Sequence, residues 1–225
     1  MRKAKVPNLL ERKRKITLKK LVITGGPCGA KSEVLKAIMQ HFTGQVIVVP
    51  EAATQLLETP MAEGGPGVPG KDLDWSQEWQ SIFQTMIVER QLANEAKAEA
   101  EASQLEGIEF IVCDRGILDG AAYLPGGTAE FCERFATTLE EYLGQYDHIL
   151  HLNSLATDRP EEYDRLKATN PSRFEDSDTA RELDQKLIAA WSGHRNHTVV
   201  RTTETLQQKV EFCLAHLSQI MEETR

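Results

Sequence analysis

The chain has 225 residues, 40% of them hydrophobic, which suits one large α/β domain. No apolar run approaches the roughly 18–20 residues of a membrane helix, so a soluble, cytoplasmic protein is expected. The net charge of −8 is uneven, with nine of the 26 Lys and Arg residues in residues 1–20 beside a single acid, Glu11. The rest is acidic and would repel a nucleic-acid backbone, so sequence-specific nucleic-acid binding is not expected. Residues 1–16 read as a basic, flexible arm. Residues 1–20 are open to contact with anionic lipid or protein, and residues 17–225 read as the folded domain. The four cysteines (Cys28, Cys113, Cys132, Cys213) form no CxxC pair and no zinc spacing with histidine, so reduced thiols are expected.

The elements follow in chain order. Leu21–Thr24 is a short apolar strand stopped by Gly25-Gly26-Pro27. Val34, Leu35, Ile38, Met39 and Phe42 form a helical stripe. Gln45–Val49 reads as a strand and Glu51–Glu58 as a helix. Glu63–Lys71, with four glycines and two prolines, must be a loop and reads as a flap. A long helix is predicted over Trp75–Glu106 with the stripe Trp75, Trp79, Ile82, Phe83, Met86 and Ala93. Ile108–Cys113 is apolar without a break, as a strand buried on both faces should be. A helix over Thr128–Leu143 precedes a strand at Ile149–Leu152. Arg159–Ser177 is charged and aperiodic. Ala180, Leu183, Leu187 and Trp191 mark a helix, His197–Val200 a fifth strand, and Leu206 to Met221 a final amphipathic helix. This alternation predicts an α/β protein with a five-stranded, mostly parallel sheet and helices on both faces.

The chemistry starts at LVITGGPCGAKS, residues 21–32. Strand, glycine turn and helix start bring backbone N–H groups and a helix N-terminus onto phosphate oxygens. Gly25, Gly26, Pro27, Cys28, Gly29, Ala30, Lys31 and Ser32 are the candidate nucleotide-binding residues. Lys31 reaches the phosphates, and the Ser32 hydroxyl is a candidate ligand of Mg²⁺. The usual pattern has glycine before the lysine; here it is Ala30, where a glycine would permit close approach or a dihedral that alanine tolerates poorly.

Parallel sheets carry their sites at the carboxyl ends of strands, where Glu51 and Asp114 follow two apolar runs. A kinase needs one carboxylate to orient or deprotonate the acceptor and another to hold Mg²⁺, the role for which Asp114 is the candidate. Arg115 adds a cation suited to phosphate. For Glu51 the alternative is a plain helix cap. Gln84 and Arg90 on the long helix are candidate substrate contacts, Gln84 for a base edge and Arg90 for a phosphate or an internal salt bridge. Arg159, Arg165 and Arg173 populate a segment that reads as an arginine-bearing lid. His148, His151, His194 and His197 form no nucleophile or metal constellation, and Asn153 has no assigned role.

GGPCGAKS, VPEAAT, DRGILDGAAY and SRFEDSDTARELDQKLIAAWSGH together resemble the NadR-like AAA family of P-loop proteins. That family includes nicotinamide riboside kinase domains and the "TRPL translocation defect" GTP-binding protein, within the thymidylate and deoxynucleoside kinase group. The resemblance spans roughly residues 20–222. It implies that Gly25, Gly29, Lys31 and Ser32 bind the triphosphate and Mg²⁺, that Glu51 and Asp114 act at acceptor and metal, and that Arg173 is a lid arginine. The expectation is a kinase using ATP or GTP with Mg²⁺ on a nucleoside- or nucleotide-like acceptor. The alternatives are a nucleotide-dependent switch or scaffold without phosphotransfer, and a pseudokinase with Ala30 as its lesion.

Overall fold

The computed structural model describes residues 18–168, 176–201 and 205–224. The arm 1–16 and Arg173 lie outside the described residues. Strands β1 (Lys19–Thr24), β2 (Val46–Val49), β3 (Phe110–Asp114), β4 (His148–Leu152) and β5 (His197–Val200) form one all-parallel sheet in the order β2-β3-β1-β4-β5. The chain leaves the ends of β1 and its neighbour β3 toward opposite faces of the sheet, so a crevice opens between them at the carboxyl end.

Side chains alternate across the sheet with a period of two. Leu21 and Ile23 of β1 join Phe110 and Val112 of β3 on one face, under α1 (Lys31–His41) and α9 (Leu206–Thr224). Val22, Ile111 and Cys113 face the other way, under α3 (Gln77–Ala102) and α8 (Ser177–Trp191). Burial on both faces accounts for the unbroken apolar character of these strands.

Three departures from the sequence reading have local causes. The helix expected over Thr128–Leu143 is two, α4 (Gly127–Arg134) and α5 (Leu139–Leu143), with Ala136 between them at φ 50°. Thr138 and Glu141 form a reciprocal capping box that starts α5, and the T-x-x-E spacing was its sequence signal. Helix α3 starts late because the Ser76 hydroxyl accepts from the Trp79 N–H. Its buried face carries Phe83, Gln84, Val88, Gln91, Glu95 and Ala98, whereas Trp75 and Ile82 of the expected stripe are exposed. Gln91 and Glu95 are buried because they bond inward, Gln91 to Glu95 and to the Arg115 carbonyl. The short helix α6 (Leu155–Asp158) follows β4, the stretch read as aperiodic opens with α7 (Pro160–Ala168), and a 3₁₀ segment covers Ile117–Tyr123.

The Gly/Pro loop is tied to the start of α3. The Trp79 indole N–H donates to the Pro66 carbonyl at 2.9 Å, and the Val68 N–H donates to Asp72. No helix among the described residues is long and apolar enough to cross a membrane.

Candidate functional site

The phosphate loop turns between β1 and α1. Gly25 has φ 138°, and a Cβ there would stand 2.1 Å from the Leu152 carbonyl oxygen, so only glycine fits. A Cβ on Gly29 would meet the same oxygen at 2.6 Å. Ala30 occupies the cap of α1 at φ 69°, ψ 25°, a left-handed conformation that explains why glycine is usual before the lysine. The alanine methyl is therefore tolerated here at a backbone cost on the order of 1 kcal/mol. The Lys31 ammonium donates to the carbonyls of Gly25 (2.8 Å) and Gly26 (3.2 Å), which keeps the side chain folded over the loop. Burial first, then the nearby Arg115 charge, lowers its pKa to about 8.

The strand-end acids meet Lys31 at this loop. Glu51 sits at the cap position of α2 (Ala52–Glu58) but makes no capping bond through its side chain. Its carboxylate accepts from Arg115 Nε and from the Thr54 hydroxyl (2.6 Å). Burial would raise the Glu51 carboxyl, but the Arg115 charge and the Thr54 bond outweigh it and hold it below the usual range. Arg115 also donates to Asp119 at 3.2 Å and reaches the Gly25 carbonyl at 3.5 Å. Two carboxylates thus match its charge, which is not left free for a phosphate as the sequence reading supposed. Arg115 has φ 69°, another left-handed residue at the site.

Asp114 is different. Its Oδ1 is buried without a hydrogen-bond partner among the described residues, and burial, then the Glu51 charge, raises its pKa to about 6. An unpartnered carboxylate oxygen near Lys31 fits a divalent ion or an ion-bound water. Among the described residues no three His, Cys, Asp or Glu side chains form a metal cluster. A magnesium ion here would therefore take most of its oxygens from phosphates and water, with Ser32 and Asp114 as protein groups. Ser32 is exposed on the first turn of α1.

Two cavities flank the loop. The larger, about 440 Å³, is lined by Cys28–Glu33, Arg159, Glu162, Lys209 and neighbouring residues, and faces the helix N-terminus. Arg159 pairs with Glu162 at its edge. The smaller, about 210 Å³, lies between α2, α3 and the 3₁₀ segment. Trp79 and Phe83, stacked with centroids 4.7 Å apart, form part of its wall. Glu51, Arg115, Asp119 and Gln84 supply its polar groups. Gln84 is 3% exposed, and its Oε1 has no partner among the described residues.

The fold thus brings Lys31, Glu51, Asp114 and Arg115 together at the loop and sets Gln84 in the adjoining cavity. Arg90 is half-buried on α3 and is not among the lining residues of either cavity. Arg165, on α7, bonds to the Glu161 carbonyl. Sequence reasoning missed Asp119, Trp191 and Asp184. Asp119 accepts from Thr24 (2.7 Å) and the Trp191 indole (2.7 Å) as well as Arg115. Fully buried Asp184 contacts the back of the loop. Their signal lay in DRGILDG and RELDQ, where an acid sits inside an apolar helix pattern.

A family model described as an AAA domain matches residues 20–209. Among curated proteins, none matches the chain. The match spans the sheet from β1 to β5 and includes the phosphate loop and both strand-end acids. The chain belongs to this AAA-domain family, whose P-loop NTPase-type fold is built to bind a nucleotide.

Proposed function

We propose that this protein is a small-molecule kinase that moves the γ-phosphoryl group of ATP or GTP onto a hydroxyl of a ring-bearing, nucleoside-like acceptor. One observation carries the reading: the Lys31 ammonium and the Glu51–Arg115 pair converge on the Gly25 carbonyl, between a phosphate-loop cavity and an aromatic-walled one. A triphosphate on the loop and an acceptor against Trp79 and Phe83 would meet at that point.

The roles follow from the electrostatics. Lys31 and the loop N–H groups bind phosphate oxygens and stabilise the charge spread over the transferring group. Glu51, kept ionised by Arg115, accepts the proton of the acceptor hydroxyl as the hydroxyl oxygen bonds to the γ-phosphorus and the bond from that phosphorus to the nucleoside diphosphate breaks. When bound, Mg²⁺ neutralises phosphate charge, and Ser32 and Asp114 are the residues that would hold it. Gln84 offers an unpartnered carbonyl to an N–H on the acceptor ring. Arg115 is the one Lys or Arg among the described residues lining the acceptor cavity, and its charge is already matched. That favours an unphosphorylated acceptor over a nucleotide. These features fit the nucleoside-kinase side of the NadR-like resemblance.

The left-handed Ala30 supports a second reading, a nucleotide-binding switch without phosphotransfer. A screen of nucleosides and related alcohols with Mg·ATP and Mg·GTP separates the two. The kinase reading expects acceptor-dependent release of nucleoside diphosphate, abolished in Lys31→Ala and strongly reduced in Asp114→Asn. Tight triphosphate binding with no acceptor-dependent turnover would favour the switch.

A further inference from the structure

Asp184 lies on α8, far in sequence from the phosphate loop, and is fully buried. Its Oδ1 accepts from the Gly26 N–H at 2.8 Å and meets His151 Nε2 at 3.0 Å. Its Oδ2 accepts from the Ser154 N–H at 3.0 Å and the Thr157 hydroxyl at 2.7 Å. Burying a carboxylate costs several kcal/mol unless it is fully bonded, and four partners supply that here. These partners outweigh the burial and keep its carboxyl below the usual range.

The consequence runs through one peptide unit. The Gly26 N–H and the Gly25 C=O belong to the same planar amide, which is trans, so they point in opposite directions. Holding the N–H against Asp184 turns the carbonyl toward Lys31 and Arg115, which donate to it at 2.8 and 3.5 Å. Glycine on both sides gives this peptide few steric barriers to rotation, so something must hold it. A Cβ on Gly26 would stand 2.8 Å from Asp184 Oδ1, so the carboxylate also fixes glycine at this position.

We propose that Asp184 is a positioning residue: through the Gly25–Gly26 peptide it sets the direction of the Gly25 carbonyl and hence where Lys31 and Arg115 stand. The part that concerns triphosphate affinity rests on the nucleotide reading of the loop. Asp184→Asn keeps the shape but places an NH₂ against donors on one side or the other. Thr157→Val removes one bond to the same carboxylate and leaves Gly26 held.

Three measurements test the proposal. In the wild-type protein, the Gly26 amide hydrogen should exchange at least a hundredfold more slowly than an open loop amide; exchange at the open-loop rate overturns it. That arm needs no variant to fold. Acylation of Lys31, followed by mass spectrometry with exposed Lys36 as internal standard, should change at least threefold in Asp184→Asn and stay within 1.5-fold in Thr157→Val. Calorimetry with Mg·ATP and Mg·GTP, well below the melting temperature, should show at least tenfold weaker binding in Asp184→Asn and a change under twofold in Thr157→Val. If Asp184→Asn melts earlier yet keeps wild-type Lys31 labelling and affinity, its role is structural and the proposal falls. If the wild type binds neither nucleotide, the nucleotide reading falls, and exchange and labelling still decide the positioning.

Discussion

The two sides of the Gly25 carbonyl are built by different means. On the nucleotide side, the cavity wall nearest the loop is six consecutive residues, Cys28 to Glu33, whose backbone geometry does the work. On the proposed acceptor side, the wall is gathered from α2, α3, the end of β3 and the 3₁₀ segment, and side chains do the work. The first construction recognises a ligand class that many proteins share. In the proposed kinase the second would set which hydroxyl is presented, so substrate choice would reside there.

Lys31→Ala bears on both sides at once and should have the largest effect. Turnover should fall about a thousandfold, on the order of 4 kcal/mol, and triphosphate binding should be lost from calorimetry. Gly25→Ala tests the backbone side alone. A Cβ 2.1 Å from the Leu152 carbonyl at φ 138° should destabilise the protein by about 3 kcal/mol or more, seen as a large drop in melting temperature. Glu51→Gln tests the side-chain side alone. Turnover should fall about a hundredfold while triphosphate affinity stays within threefold. Equal losses in both would mean that Glu51 serves the nucleotide, and the division drawn here would be wrong.

Asp114 stands between the two and gives a pH signature. Its folded pKa of about 6 lies above that of an unfolded aspartate, so the native state binds the proton more tightly. Its contribution to stability is therefore greatest below about pH 4 and is lost as pH rises toward 6, by about 2 kcal/mol. Urea titrations of the nucleotide-free protein at pH 4.5 and 6.5 should show a difference that Asp114→Asn removes. The smallest effect belongs to Ala30→Gly. Relief of the left-handed alanine, partly offset by glycine's unfolded-state entropy, should stabilise by about 1 kcal/mol or less. Triphosphate affinity should rise slightly or hold; a loss would show that the alanine methyl itself helps shape the loop.

The contrast between the two walls also explains what the sequence could reveal. The phosphate loop was legible because its parts are contiguous and each position has one physical job. The parallel sheet was legible because strands buried on both faces are apolar without interruption. Glu51 and Asp114 were legible from their place after strands. The ion pair of Glu51 with Arg115 was not, because it depends on β2 and β3 being neighbours in register. Nor was Asp184, whose partners come from the loop, β4 and α6 and meet only in the folded chain. The inward face of α3 was misread for a related reason. The apolar stripe drawn on α3 ran through Trp75 and Ile82, while the true inward face was hidden by its polar members Gln84, Gln91 and Glu95.

Strand β1 runs from Lys19 to the phosphate loop, and every other strand runs the same way. Six residues of strand span about 20 Å. The described chain thus begins at the opposite end of the sheet from both cavities. A fluorophore carried by exposed Leu18 would therefore stand at the far end of the sheet from the two openings.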